Sequence, residues 1–77
     1  MQLTIISPNK TLFKGECKLV QIPGTDGLFE VLDNHAPIIA LLGKGKIKVQ
    51  KLDGEEFFFN IEDGMLKIQE NKALIVC

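Results

Sequence analysis

Apolar residues recur at every second position in short runs along this chain, and nowhere do they hold the spacing of an amphipathic helix. Leu3 and Ile5, Val20 and Ile22, Ile47 and Val49, Phe57, Phe59 and Ile61, and Leu66 and Ile68 each line one side of an extended segment. The runs read "LTIIS", "TLFKG", "CKLVQIP", "LFEVL", "IIALL", "KIKVQKL", "EEFFFNI", "MLKIQ" and "ALIVC". Between them stand Ser7-Pro8-Asn9, Asp53-Gly54, Asp63-Gly64 and Asn71-Lys72, turn signals at the spacing of about 8 to 12 residues typical of sandwiches and barrels. Asp53-Gly54, flanked by matching apolar faces, is the strongest hairpin signal. The pattern predicts one all-β domain over residues 1–77, a small two-layer antiparallel β-sandwich of roughly eight to ten short strands.

Several runs are apolar on both faces: Ile5 beside Ile6, Phe57-Phe58-Phe59, and Leu74-Ile75-Val76. A two-layer sandwich needs apolar residues only on its inner faces. The surplus either closes the sandwich edges or forms a docking patch on the outside.

Composition narrows the function classes. The chain has 77 residues, near the lower limit for a core that folds without staples, and its 25% charged fraction excludes disorder. A net charge of −1 gives no electrostatic reason to expect DNA, RNA or an acidic lipid surface as the main partner. "APIIALL" falls far short of the roughly 20 apolar residues of a membrane-spanning helix, and "MQLTIISPNK" has no basic region or cleavage site of a signal peptide. Cys17 and Cys77 read as buried thiols of a reducing compartment, the alternative being a disulfide that staples the last strand to an early one.

Chemistry is hard to assemble from these residues. Ser7, His35 and an aspartate are the sole material for a hydrolytic triad, and Ser7 lies in "ISPN" instead of a nucleophile elbow. Neither cysteine sits in an activating context. Asp33, Asn34 and His35 match no metal-ligand spacing, so no metal and no cofactor is expected. "GKGK" at residues 43–46 lacks the Ser or Thr of a phosphate loop and enters a strand. Lys44, Lys46 and Lys48 share one face of that strand and read as a solvated face that discourages edge pairing. Glu55 and Glu56 point to opposite sides and cannot cooperate as acid and base. No enzyme is expected.

The segment "PGTDGLFEVLDNHAP", residues 23–37, holds two of the three prolines and the only histidine, so it is where special backbone geometry concentrates. Gly24 and Gly27 bracket a tight turn, and Asp33-Asn34 makes a second, Asn being tolerant of left-handed backbone. Two turns around a short strand are expected to project side chains at one end of the sandwich. This order of residues, with "SPNKTLFKG" before it and "LLGKGKIKV" and "EDGMLKIQ" after it, resembles the N-terminal β-sandwich domain of the epsilon subunit of F-type ATP synthases, called delta in mitochondria. The "HAP" after the two-turn segment is the most specific part. Leu28 stands where the family has an acidic residue, Glu30 replaces a glycine, and Asp33-Asn34 replaces a Pro-Gly turn.

The resemblance implies a non-catalytic central-stalk subunit that links gamma to the c-ring and couples proton flow to ATP synthesis, peripheral on the cytoplasmic face of the bacterial inner membrane, without direct membrane insertion. By position, Leu28, Phe29 and Glu30 correspond to the loop expected near the polar loops of the c-ring. Ser7, His35, Pro37 and Ile38 correspond to segments expected on the gamma side, with the alpha/beta head an indirect partner. Most members continue into a helical hairpin that restrains hydrolysis. Since the sequence ends at Cys77 on the last strand, neither that restraint nor a nucleotide site is expected. The competing reading is a free-standing β-sandwich module that binds a peptide or sugar. Against the sugar stands the absence of Trp and Tyr.

Overall fold

The computed structural model describes residues Met1–Cys77 and contains nine strands and no helix. They are β1 (Gln2–Ser7), β2 (Lys10–Glu16), β3 (Leu19–Gly24), β4 (Gly27–Leu32), β5 (Ile38–Leu42), β6 (Gly45–Gln50), β7 (Glu56–Ile61), β8 (Gly64–Gln69) and β9 (Lys72–Val76). All nine coincide with the apolar runs, to within two residues at either end.

One layer runs β2-β1-β9-β8-β5 and the other β4-β3-β6-β7. Their inner faces meet in a core of Leu3, Ile5, Leu42, Leu66, Ile68, Ala73 and Ile75 from the first, and Val20, Ile22, Val31, Ile47, Val49 and Ile61 from the second. Phe13 of β2 packs against Phe57 and Phe59 of β7, ring centroids 5.9 and 6.4 Å apart, closing one side. On the other side the layers are stitched at the single pair Gly24–Leu42, where the Thr25 N–H donates to the Leu41 carbonyl (3.1 Å) and the Gly43 N–H to the Pro23 carbonyl (2.8 Å). The sandwich is thus one sheet curled over its core.

Three features were not evident from the pattern. β1 and β9 pair in parallel, Leu3 beside Ala73 and Ile5 beside Ile75, so one pair departs from the antiparallel rule. β6 is not an edge strand: β3 and β7 flank it, so its lysines protect no edge. The two turns of the 23–37 segment lie at opposite ends of the sandwich. Six-residue β4 separates them, roughly 20 Å at about 3.4 Å per residue.

The Asp53-Gly54 hairpin is a three-residue turn. Lys51 and Glu55 pair across it, and Gly54 (φ 92°) takes the left-handed position. Every side chain in the core is apolar, and no buried side-chain nitrogen or oxygen lacks a partner. Polar and charged side chains are all at least partly exposed.

Candidate functional site

The lower end of the sandwich is built by the β3–β4 turn. Gly24 and Gly27 pair across Thr25 and Asp26, and Gly27 has a φ of 127° that L side chains rarely adopt. A Cβ on Gly24 would lie 2.8 Å from the Phe29 ring, so glycine there lets the ring close over the turn. Alternation along β4 then separates the three candidate residues. Leu28 is 67% exposed, Glu30 is exposed and accepts a hydrogen bond from Gln21 Nε2 (3.5 Å), and Phe29 turns inward against the core. Thr25 and Asp26, not Leu28–Glu30, form the tip.

The outer face of the first layer carries the apolar surplus. Strand registers place Leu41 opposite Met65, Met65 opposite Val76, and Val76 beside Ile6, which makes one apolar row across β5, β8, β9 and β1. The next row is Ile39, Lys67, Leu74 and Thr4. Ile39 is 69% exposed, Leu41 65%, Met65 43% and Val76 40%, although each sits within a hydrogen-bonded sheet. Scattered apolar residues are ordinary on a surface, whereas a register-aligned row four strands wide is a candidate contact face.

The four residues assigned to the gamma side frame this face without filling it. Ser7 ends β1 at the lower end, with its Oγ donating to the Lys10 carbonyl (3.2 Å). His35 is at the upper end, its Nδ1 2.7 Å from the Ala36 carbonyl. Ile38 packs toward the core beside Ile68, while Pro37, Ile39, Lys67 and Gln69 border a shallow groove of about 420 Å³. The outward residues of "IIALL" are therefore Ile39 and Leu41. Sequence reasoning noticed apolar residues on both faces of β9 but did not carry the count to β5 and β8, because register decides which side chains stand together.

The upper end is tied by polar contacts. The Met1 ammonium donates to the Cys17 carbonyl (2.9 Å) and to Asp33 Oδ1, with Glu16 Oε2 at 3.5 Å. The Asn34 N–H, at a φ of 62°, donates to Asn71 Oδ1 (2.7 Å). Burial opposes the charge on the ammonium, but the Asp33 hydrogen bond and the charges of Asp33 and Glu16 outweigh it and hold the group above its ordinary pKa. Burial pushes the Cys17 thiol up, and the half-buried Cys77 thiol likewise. Ser7, at the lower end, is a sandwich length from His35, so no triad forms.

Residues 1–77 match the family described as "ATP synthase, Delta/Epsilon chain, beta-sandwich domain". The ATP synthase epsilon chain of Chlorobium limicola is 40% identical over 75 residues, covering 97% of this chain and 85% of that one. The epsilon chain of Leptospira interrogans serogroup Icterohaemorrhagiae serovar copenhageni is 38% identical over 77 residues, covering 99% of this chain and 59% of that one. Among solved structures, a chain in the Euglena gracilis mitochondrial ATP synthase (OSCP/F1/c-ring, rotational state 1) superposes with a TM-score of 0.90 at 21% identity, covering 96% of this chain and 48% of that one. A chain of the Tetrahymena thermophila mitochondrial ATP synthase central stalk and c-ring superposes with a TM-score of 0.82 at 12% identity, covering 97% and 60%. At such identities the superpositions speak to the fold.

Proposed function

Because the chain belongs to the delta/epsilon β-sandwich family of ATP synthases, we propose that it is a non-catalytic central-stalk subunit whose apolar outer face docks on gamma and whose lower turn rests on the polar loops of the c-ring. The observation that carries this reading is the row Leu41–Met65–Val76–Ile6. A face of that kind becomes the dry centre of an interface, with Ser7, Pro37 and His35 at its rim as polar and shape-fixing contacts. The domain's part in proton-driven ATP synthesis is mechanical. It adds a second grip between ring and shaft, and the Thr25–Leu41 hydrogen bond ties the ring-side turn directly to the strand that carries the gamma-side row. No helix is long and apolar enough to cross a membrane. On this proposal the subunit is peripheral at the cytoplasmic face of the membrane, held there by its partners.

The test is gel filtration of the purified chain with gamma, alone and with the alpha/beta head. Stoichiometric co-elution that disappears on Leu41→Glu supports the reading. A folded chain that elutes free from every mixture overturns it.

A further inference from the structure

Lys44, Lys46 and Lys48 were left without a role once β6 proved to be an internal strand. They border an open groove of about 390 Å³ on the outer face of the second layer, opposite the apolar row, together with Leu28, Phe58 and the glycines of the lower turn. Lys48 is partly neutralised by Glu56, Nζ to Oε2 3.9 Å. Lys44 and Lys46 have no carboxylate within ion-pair distance, and Lys46 Nζ instead lies 5.5 Å above the centre of the Phe58 ring. Phe58 is 54% exposed. Unpaired ammonium groups beside an exposed aromatic and an exposed leucine form a surface that is both cationic and apolar, in a chain whose net charge of −1 conceals it.

We propose that this groove takes the phosphate headgroup of an anionic phospholipid, so that the subunit touches the membrane surface beside the c-ring without inserting. The orientation rests on the central-stalk reading, which puts the Gly24–Gly27 turn nearest the membrane, and the groove opens at that same turn. Lys44 and Lys46 supply the charge, while Leu28 and Phe58 have the amphipathic placement that suits the headgroup boundary. Each lysine near an anionic bilayer strengthens binding roughly fivefold, so two unpaired lysines give a weak contact that counts when a partner already holds the subunit at the membrane. An acidic protein segment would suit the two charges but leave Leu28 and Phe58 without an apolar counterpart.

The experiment is co-sedimentation of the full chain with vesicles of phosphatidylcholine, alone or mixed with phosphatidylglycerol, over a range of lipid and salt. Binding is expected to need phosphatidylglycerol and weaken with salt. The double change Lys44→Gln and Lys46→Gln should reduce it about 25-fold, at roughly fivefold per lysine, with the melting temperature unchanged. Equal binding to neutral vesicles, or full binding by the double variant, overturns the proposal. A chain that ignores vesicles and captures a polyglutamate peptide through Lys44 and Lys46 overturns it in favour of an acidic protein segment. Co-elution with gamma is measured on the same variants. A wild-type chain that does not co-elute with gamma would sink the central-stalk reading, while the vesicle result would still decide the groove.

Discussion

Met65 of β8 and Val76 of β9 stand directly opposite one another on the outside of the sandwich, and between Leu41 and Ile6 they complete an apolar row four strands wide. The few residues that carry an interface cost about 2 kcal/mol or more each when lost, roughly thirtyfold in affinity, and a glutamate at its dry centre adds a buried unpaired charge. Leu41→Glu and Met65→Glu are therefore each expected to weaken association with gamma at least about tenfold, read by titration calorimetry. Both side chains are exposed in the free chain, so its thermal stability should change little, about 0.5 kcal/mol.

Leu28 and Phe29 are neighbours in sequence with opposite duties. Leu28→Ala is expected to leave stability unchanged and lower proton-coupled ATP synthesis in the reconstituted enzyme. Phe29→Ala should cost the isolated domain about 2 kcal/mol, less than the 3–5 typical of a fully buried ring because Phe29 is only half-buried. Urea denaturation of the two variants separates them, and equal midpoints would contradict the inward placement of the Phe29 ring.

The β8–β9 turn is strained at one residue. Glu70 (φ 53°) and Asn71 (φ 58°) both occupy left-handed backbone, which asparagine tolerates and glutamate does not. Glu70→Asn should raise stability by about 0.5 to 1 kcal/mol, since a left-handed conformation costs an ordinary residue about 1 to 2. Asn71→Ala should do the reverse, because it also removes the acceptor of the Asn34 N–H. Melting curves of both variants check the pair, and a neutral Glu70→Asn would mean the turn relaxes.

The upper corner should make the fold sensitive to alkali. Both the Cys17 thiol and the Met1 ammonium titrate above their ordinary values in the folded chain, so each holds its proton longer folded than unfolded. Their contributions are complete below the unfolded values, about 8 for the amine and 8.5 for the thiol, and are lost as pH rises through the folded ones. Cys17→Ala should lose about 1 kcal/mol at neutral pH from the cavity it leaves. It should then decline more gently than the wild type as pH rises above about 8.5. Parallel declines would remove the thiol from the account.

Strand positions were legible because turn residues interrupt a period-two pattern. Asn34 was also legible, since few residues other than glycine and asparagine suit its backbone. The candidate surface was harder to read. Apolar residues on both faces of "LIVC" show that something outside is apolar, but only the registers Leu41–Met65 and Met65–Val76 bring in Leu41 and Met65 and make a row. The lysines around β6 are solvated as expected but guard no edge, because whether a strand is an edge depends on partners far away in sequence. The separation of His35 from the lower turn follows from the length of β4, which carries the chain from one end of the sandwich to the other.

The parallel pairing of β1 with β9 has a temporal consequence. Ile6 and Val76 lie 70 residues apart in the chain, yet they are neighbours in the apolar row. β1 can pair with β2 early, but its other edge is filled only once β9 has been made, and pairing this remote in sequence is slow to form. A partner selecting the finished row would recruit only chains whose synthesis has passed Val76, so translation itself would screen what enters the assembled motor.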